Sequence, residues 1–349
     1  MRPRPISLPD DMMPHGTVIE WWYWNGLLED KHGKRYAYMD CLFRADAKQV
    51  NIPYFKSILS HGAAGNHVLF AHSMFADLGA KRTYKNVQNI SFASRDSFTR
   101  PLFYVEYLDP IAAAAGFVVH AMEESKGGIF HIKTDRIDLV MASKKRPLLE
   151  GGNGFITVRG RKSFYYSLTD LETNGAVLVG DEWVTVKGRS WMDHQWADVP
   201  YTKDKWTWFS FRLDDGTDLM CVEYDDGNGK DYVVDLIDPH GVSAHADHAE
   251  FMPGAKKWKS KATQASYPLT WTIIVPDREI ALEASAMLPD QEMIFGAINY
   301  WEGPVTVKGM IGKRRVSGTG FMELAGYPSH YNYLQDQIAK QIKNIIGAI

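Results

Sequence analysis

The sequence predicts an all-β protein built from antiparallel strands. Short runs in which apolar and polar residues alternate fill most of the chain, and Gly, Asn and Asp residues separate them, as in β-barrels and β-sandwiches. Aromatic residues make up 13% of the chain, with 11 Trp and 17 Tyr, and such residues favour strands and line apolar pockets. A third indication is a Trp-x-Trp strand followed by a Gly-containing turn, which occurs twice.

The strand signals follow one another along the whole chain. Each run carries period-two alternation and ends at turn residues. In chain order the clearest runs are KRYAYMDCLFR, NHVLFAHSMFADL, GNGFITVRGRKSFYYSLTDL, DEWVTVKG, WTWFSFRLDDGTDLMCVEYDDG, LTWTIIVPD and GPVTVKGMIGKRRVSGTGFMEL.

An internal repeat divides these strands into two similar β-domains. The segments WYWNGLLEDKHGKRYAYM (22–39) and WTWFSFRLDDGTDLM (206–220) share the Trp-x-Trp strand, an acidic turn with Gly and a returning strand. A histidine precedes each copy, His15 in the first and His194 in the second. The sequence therefore predicts two domains of one kind.

Only the tail of the chain shows helical spacing. Its apolar residues form one stripe, which predicts a terminal helix packed on the β-domains: Leu334, Ile338, Ile342, Ile345, Ile346 and Ile349. We place an N-terminal domain at residues 1–188, a C-terminal domain at 189–327 and this helix at 328–349.

Charge and composition argue against several classes of function. With 39 basic and 42 acidic residues the net charge is −3, so nothing draws the chain towards nucleic acid or an anionic membrane. The N-terminus has prolines and aspartates where a signal peptide needs an apolar core, and the apolar runs are too short to span a bilayer. We expect a cytoplasmic protein without a nucleic-acid partner or stable membrane insertion.

The stretch SWMDHQWADVP (190–200) is the densest group of side chains suited to chemistry. It places Asp193, His194 and Trp196 within four residues. In one interpretation, Asp193 and His194 satisfy buried backbone groups where the chain crosses between the domains. In the other, they line a ligand pocket.

Motifs from His15 to Tyr327 resemble a known family. They are HGTVIEWWYWNGLL, VLFAHSMFADL, FYYSLTDLETNG, SWMDHQWADVP with WTWFSFRLDDGTDLM, and YWEGPVTVKG with GTGFMELAGY. In this order they resemble the lipocalin-like hydratases, which include carotenoid 1,2-hydratase and the AttH-type proteins. Kievitone hydratase and lipocalin-like Diels–Alderases are fungal relatives.

The resemblance implies a fold and a catalytic set. The fold is two lipocalin-like (calycin-type) antiparallel β-barrels with an apolar pocket between or within them. In the carotenoid hydratase branch, a His and a Trp of an Asp-His-x-Trp motif act with a Tyr and an Asp on a following strand. His194 and Trp196 match the first pair, and Tyr224 and Asp226 have the spacing of the second.

The alternation of side chains along a strand indicates which face Tyr224 and Asp226 occupy. Met220, Val222, Tyr224 and Asp226 share one face of their predicted strand, whereas Cys221, Glu223 and Asp225 share the other. The first face begins apolar and is the better candidate for the pocket. A slip of one residue would bury Glu223 in place of Asp226, so Glu223 is the reserve acid.

These residue types fit the addition of water to an alkene without a metal or a cofactor. A carboxylic acid kept neutral by burial can protonate carbon, which makes Asp226 the predicted acid. His194 would orient the water, and the rings of Tyr224 and Trp196 would face the cation. The group His240, His245 and His248 is interpreted as a solvated loop in preference to a zinc site.

Further residues are candidates for the pocket wall. Trp22, Trp24 and Trp208 are each more typical of barrel core than of a cation-facing surface. We interpret Glu20 as capping a barrel mouth in water and His72 as an interior histidine that lines the first barrel.

Three functions remain open from the sequence. The first is a cofactor-independent hydratase or dehydratase that acts on a C=C bond of an apolar, isoprenoid-like molecule. The second is a pericyclase or cyclase that folds a polyene by shape. The third is a carrier that binds a lipophile without changing it.

Overall fold

The computed structural model describes residues 1–46, 67–99, 102–108, 120–125, 128–199, 205–295 and 298–327. These residues form two large antiparallel sheets, and the all-β prediction is confirmed. The predicted C-terminal helix at 328–349 lies outside the described residues. No helix among the described residues is long and apolar enough to cross a membrane.

The first sheet contains the strands from the N-terminal half of the chain. Its strands are Ile19–Asp30 (β1), Arg35–Asp46 (β2), His67–Asp77 (β3), Arg82–Thr99 (β4), Leu102–Leu108 (β5), His120–Ser125 (β6), Ile129–Thr134 (β7), Ile137–Ser143 (β8), Leu148–Leu149 (β9), Phe155–Val158 (β10), Arg161–Val179 (β11) and Glu182–Ala197 (β12). Pairing runs β11-β12-β1-β2-β3-β4-β5-β6-β7-β8, and β8 pairs back with β11. This pairing closes the sheet into a barrel.

The second sheet contains most strands of the C-terminal half. Its strands are Lys205–Leu213 (β13), Asp218–Asp225 (β14), Lys230–Ile237 (β15), Ser243–Ala246 (β16), Glu250–Pro253 (β17), Thr270–Val275 (β20), Ile280–Ala286 (β21), Glu292–Phe295 (β22), Ile298–Ile311 (β23) and Arg314–Ala325 (β24). The order is β16-β15-β14-β13-β24-β23-β21-β20-β17, with β22 on β23. Lys257–Lys259 (β18) and Ser266–Pro268 (β19) form a separate hairpin.

The repeated sequence pattern corresponds to one hairpin in each sheet. The strands β1 and β2 pair around a turn that contains Gly33, and β13 and β14 pair around a turn that contains Gly216. Both glycines have positive φ angles, 77° and 83°, a conformation that is unfavourable for residues with a side chain. This explains why each copy of the pattern carries a Gly in its turn.

The division between the sheets lies later than the sequence boundary. The first sheet continues to Ala197 at the end of β12, and the second begins at Lys205. The expected boundary at 188/189 therefore falls inside β12, which pairs with β1 and β11 on both sides of it. The Gly-Arg-Ser stretch at 188–190, where the boundary was expected, is continuous strand.

The described residues form three apolar cores, of which one joins the two sheets. One lies inside the barrel and includes Trp22, Trp24 and Trp196. A second lies on one face of the second sheet and includes Phe209 and Trp301. The third, which we call the inter-sheet core, joins the outer faces of both sheets and includes Tyr23, Trp191, Trp208, Tyr224 and Tyr300.

Two-sided burial accounts for the high aromatic content. Ser190–Ala197 in β12 and Asp218–Tyr224 in β14 are buried without interruption, since one face packs in a sheet's own core and the other in the inter-sheet core. Strands β7 and β8 bury mainly alternate residues. The strands with both faces covered therefore bring their polar side chains into apolar surroundings.

Candidate active site

The Asp-His-x-Trp motif is split between two faces of the first sheet. Tyr23 pairs with Asp193 across β1 and β12, and Trp22 pairs with His194. Because side chains alternate along a strand, Asp193 enters the inter-sheet core whereas His194 enters the barrel. Two separate polar clusters result.

The first cluster, the barrel cluster, consists of His15, Glu20 and His194. His15 Nδ1 lies 2.7 Å from Glu20 Oε1, and His194 Nε2 lies 2.9 Å from the same oxygen. The backbone N–H of His15 donates to Glu20 Oε2 at 2.9 Å. Glu20 and His194 are fully buried, so one carboxylate joins two imidazoles inside the barrel.

Indole rings pack tightly around this cluster. The ring of Trp196 stacks on His15 with centroids 3.9 Å apart, and that of Trp22 stacks on His194 at 4.6 Å. Trp22 also donates from Nε1 to the backbone oxygen of Met12 at 3.0 Å. These contacts hold the N-terminal segment, residues 1–18, across the end of the barrel.

Two opposing effects set the ionisation of the barrel cluster. Burial disfavours the Glu20 carboxylate, but the hydrogen bonds from His15 and His194 outweigh burial, and the net effect lowers its pKa. Burial also lowers the pKa of His194. Glu20 is therefore an ionised acceptor in a dry environment.

The second cluster, the inter-sheet carboxyl cluster, consists of Asp193, Glu302 and Glu323. Glu302 and Glu323 are direct neighbours across β23 and β24, and Trp208 is the neighbour of Glu323 on β13. Tyr23 of the first sheet donates from its hydroxyl to Glu302 Oε1 at 2.7 Å. This hydrogen bond links the two sheets directly.

Asp193 is held by donors from the first sheet. The hydroxyls of Tyr165 and Ser167 and the indole Nε1 of Trp191 each lie 2.6 Å from its carboxylate oxygens. Burial outweighs these hydrogen bonds and raises the pKa of Asp193 to about 6. Trp208 Nε1 donates to the Tyr165 hydroxyl at 3.0 Å, which couples Asp193 to the second sheet.

A further buried acid extends this network. Ser167 Oγ lies 2.6 Å from both Glu150 Oε1 and Asp193 Oδ1. One hydroxyl hydrogen cannot serve two carboxylates, so one of the two groups carries a proton. Burial and the nearby charge of Asp235 raise the pKa of Glu150 far above its usual value. Glu150 is the protonated partner, and it donates to Ser167.

Glu302 and Glu323 lack a basic counterpart. In the part of the chain that the structure describes, neither forms an ion pair with a Lys, Arg or His side chain. Burial raises the pKa of Glu323 to about 7, opposed by a hydrogen bond from Trp206. Burial and the charge of Glu323 raise the pKa of Glu302 well above its usual value. Like charges at close range and desolvation both favour the neutral acid.

Aromatic side chains surround these carboxyl groups. Tyr23 and Trp208 meet edge to face at 5.6 Å, and Tyr300 hydrogen-bonds His72 Nδ1 at 2.5 Å. Glu323 and Trp206 keep part of their surface accessible within an otherwise buried region. The inter-sheet core thus combines apolar walls with proton donors and acceptors.

The placement of Asp226 corrects the sequence interpretation. Strand β14 ends at Asp225, and Asp226 lies in the following turn, where its Oδ1 accepts from the N–H groups of Asn228 and Gly229 at 2.9 and 3.1 Å. Arg159 Nε lies 3.0 Å from its other oxygen and lowers its pKa. Asp226 is an ionised turn residue, not a neutral pocket acid.

The other side chains of β14 lie on the faces that strand alternation predicts, but Tyr224 does not reach the predicted catalytic partners. Met220, Val222 and Tyr224 enter the inter-sheet core as the alternation predicts. Glu223 points to the opposite side and contacts Lys230 Nζ at 2.9 Å and the Tyr232 hydroxyl at 3.0 Å. No slip of the register has occurred. Since Tyr224 lies outside the barrel, it does not meet His194 and Trp196.

Two polar residues lie elsewhere than expected. Glu20 does not cap a barrel mouth in water, because it is buried between His15 and His194. His72 does not line the barrel interior. It is the neighbour of Cys41 on β2 and faces Tyr300 of the second sheet. Trp22, Trp24 and Trp196 are core residues of the barrel, whereas Trp208 belongs to the inter-sheet core.

Sequence reasoning missed Glu302, Glu323 and the role of His15. A signal for the two glutamates exists in YWEGPV and GFMELA, where a lone acid interrupts an apolar strand. Such an acid is expensive to bury and is thus a candidate for function. His15 lies in a segment without strand pattern, so its approach to Glu20 depends on tertiary structure.

Three donor atoms of the barrel cluster could hold a metal ion. One atom each from His15, Glu20 and His194 lies within 4.8 Å of the others. Among the described residues, this is the group of His, Cys, Asp and Glu with that property. The inter-sheet carboxyl cluster contains acids with raised pKa values, which suit proton transfer better than metal binding.

The architecture defines the class of the protein. Two curled antiparallel sheets with apolar interiors are lipocalin-like. The AttH-like family model matches residues 1–327, and the chain belongs to that family. The resemblance found in the sequence is confirmed.

Curated relatives and a solved structure agree with this assignment. Kievitone hydratase of Fusarium solani subsp. phaseoli is 24% identical over 54% of this chain and 56% of its own length. Dehydratase asqC of Emericella nidulans is 23% identical over 44% of this chain and 47% of its own length. The chain thus spans about half the length of the curated relatives it matches. An AttH-type structure from Nitrosomonas europaea has a TM-score of 0.74 at 24% identity and covers 93% of this chain and 98% of its own.

Proposed function

We propose that the protein is a hydratase or dehydratase that adds water to, or removes it from, a C=C bond of an apolar small molecule in the inter-sheet core. The observation that carries the proposal is the pair of Glu302 and Glu323. They are neighbours across two strands, they are enclosed by aromatic rings, and they lack a basic partner among the described residues. The names of the two curated relatives support the reaction class.

Glu302 is the acid of the proposed reaction. Its raised pKa keeps it protonated at neutral pH, and the hydroxyl of Tyr23 fixes its position at 2.7 Å. A neutral carboxylic acid in an apolar site can protonate an alkene carbon, because no solvation shell has to be removed from a charge. This role replaces the one predicted for Asp226.

Glu323 is the base. In hydration the Glu302 proton forms the new C–H bond, and the electron pair of the alkene supplies that bond. Water oxygen then bonds to the second carbon, and the proton that water loses goes to the Glu323 carboxylate. A proton passes from Glu323 to Glu302 to restore the starting state. Dehydration is the same sequence in reverse: protonated Glu323 gives its proton to the departing hydroxyl, and the Glu302 carboxylate takes the proton from carbon.

The aromatic wall supports the same chemistry. Protonation of an alkene leaves a carbocation, which the faces of Tyr23 and Trp208 stabilise by about 1–2 kcal/mol each in a dry site. These rings bind apolar groups at the same time, which favours an isoprenoid-like substrate. Asp193 holds Tyr165, and Tyr165 accepts the indole N–H of Trp208, so Asp193 positions one of these rings.

The test begins with protein purified from its native host. Mass spectrometry of the organic extract identifies the bound compound, which is then incubated with the protein in water enriched in ¹⁸O. We expect the compound to gain one labelled water, or its hydroxyl oxygen to exchange for label. Isomerisation without label would overturn the proposal in favour of a cyclase. A bound compound that never changes would overturn it in favour of a carrier.

A further inference from the structure

We propose that the barrel cluster of His15, Glu20 and His194 binds one divalent transition-metal ion of the zinc class. The site is separate from the proposed reaction, because it lies on the opposite face of β1 and β12. Two imidazole nitrogens and one carboxylate oxygen are ligands that zinc prefers in proteins.

The positions of the donor atoms fit a common ion. Both His15 Nδ1 and His194 Nε2 point at Glu20 Oε1, at 2.7 and 2.9 Å. Zinc–ligand bonds of about 2.0–2.2 Å place tetrahedral ligand atoms about 3.4 Å apart. The two gaps must therefore widen by about 0.7 and 0.5 Å, which small side-chain rotations provide. Glu20 Oε2 is occupied by the backbone N–H of His15, so Oε1 is the ligand oxygen.

The hydrogen-bond balance points to a cation independently. Nδ1 of His15 faces Glu20, and Nε2 faces Asp11 Oδ1 at 3.1 Å. Both partners are carboxylates, which only accept, whereas a neutral imidazole has one N–H. His194 Nε2 also faces Glu20 Oε1, and its Nδ1 lies 3.2 Å from the hydroxyl of Tyr166, which can donate or accept. His15, with a carboxylate at each ring nitrogen, therefore needs one more positive charge, which a metal ion on the side of Glu20 would supply.

A metal ion at Glu20 Oε1 would supply that charge and would bind His194 Nε2 at the same time. The remaining N–H of His15 then donates to Asp11, and that of His194 donates to the hydroxyl of Tyr166. Ligand histidines are oriented in this way by carboxylates and carbonyls in metal sites. Arg4 holds the Asp11 carboxylate through two contacts of 2.5 and 2.7 Å, which fixes the outer partner in place.

The consequence of metal binding is structural. His15 belongs to the N-terminal segment, whereas Glu20 and His194 belong to β1 and β12. The ion would therefore fasten this segment over the end of the barrel, together with the stacked rings of Trp22 and Trp196. A ligand that binds only the folded state raises its stability in proportion to the logarithm of its concentration.

The test uses the full chain, purified without a metal-affinity tag and stripped with a chelator. Titration with Co²⁺ is followed by visible absorption, and Zn²⁺ is then added in competition. We expect one Co²⁺ per chain with the intense spectrum of a tetrahedral site, and displacement by Zn²⁺. Thermal unfolding should shift upwards with either ion.

Matched variants separate this site from adventitious binding. His15→Gln and Glu20→Gln should each weaken Co²⁺ binding by at least about tenfold. His131→Gln removes a half-exposed histidine that also faces a carboxylate, Asp138, and should leave binding unchanged. Equal affinity in wild type, His15→Gln and Glu20→Gln would overturn the proposal, as would the absence of saturable binding in wild type. Circular dichroism of the metal-free variants checks that they are folded.

Discussion

Glu302 and Glu323 show how a residue's surroundings decide its chemistry. An ordinary glutamate is ionised at neutral pH, but these two lie between apolar sheets and face each other. Tyr23 from β1 and Trp206 from β13 donate to them, and Asp193 from β12 adds a third acidic group. Desolvation and like charge therefore keep at least one proton in the cluster.

The pH dependence of activity follows from the role of Glu323. As a base it must be ionised, and its pKa is raised to about 7. The ratio kcat/KM should therefore rise with pH up to about 7 and fall by about tenfold for each unit below it. Glu323→Gln should lose this acidic limb and retain about a hundredth of the activity. An unchanged limb in the variant would show that another group acts as the base.

Glu323 should also make the free energy of unfolding depend on pH, with stability falling as the pH rises. The folded-state pKa of Glu323, about 7, lies above the ordinary value of 4.5. The contribution of Glu323 to the free energy of unfolding is therefore fully present below about pH 4.5 and is lost as the pH rises through 7. The free energy of unfolding in urea should therefore fall from pH 5 to pH 8 in wild type but not in Glu323→Gln, so that the difference between variant and wild type grows with pH. A difference that stays constant with pH would contradict this assignment.

Strand β12 explains how one element serves two sites. Its last eight residues are buried on both faces, so alternate side chains reach the barrel and the inter-sheet core. Its fit between β1 and β11 depends on Gly188. A Cβ at this position would lie 2.1 Å from the backbone oxygen of Leu27.

Gly188→Ala should therefore separate β12 from β1. We expect a loss of at least about 2 kcal/mol in the free energy of unfolding, measured by urea titration, because a backbone atom cannot rotate away. Gly79→Ala is the control. The nearest atom to its Cβ would be Asp77 Oδ1 at 3.4 Å, so its effect should stay within about 0.5 kcal/mol. Equal effects of the two changes would show that β1 and β12 can accommodate a Cβ at position 188.

Local patterns predicted the elements, but not which of them meet. Period-two alternation placed Met220, Val222 and Tyr224 on one face, and the structure agrees. It failed at Asp226, where the turn residues Gly227 and Gly229 end the strand and the aspartate caps its own turn. The clusters themselves join residues from distant strands, such as Tyr23 and Glu302, and no local spacing encodes such a contact.

The inter-sheet core makes the two sheets one cooperative unit. Trp208 of the second sheet is buried there and donates to Tyr165 of the first. The repeat in the sequence predicts two similar domains, but the apolar residues shared between them are a property of the assembled chain. We therefore expect a single unfolding transition.

Trp208→Ala tests this cooperativity. Loss of the buried indole should lower the free energy of unfolding by about 3–5 kcal/mol in urea, with tryptophan fluorescence and circular dichroism changing together. Trp183→Ala is the control, since that side chain is half exposed, and it should change stability by no more than about 0.5 kcal/mol. Two separate transitions in wild type would contradict the shared core.

Whether Glu302 is the acid is decided by ¹⁸O incorporation measured side by side in wild type, Glu302→Gln and Asp226→Asn. The amide retains the size of Glu302 and can accept from Tyr23, but it has no acidic proton. We predict that Glu302→Gln lowers the initial rate by about 10²–10⁴-fold and that Asp226→Asn matches wild type. Label incorporation at the wild-type rate in Glu302→Gln would show that Glu302 is not the acid.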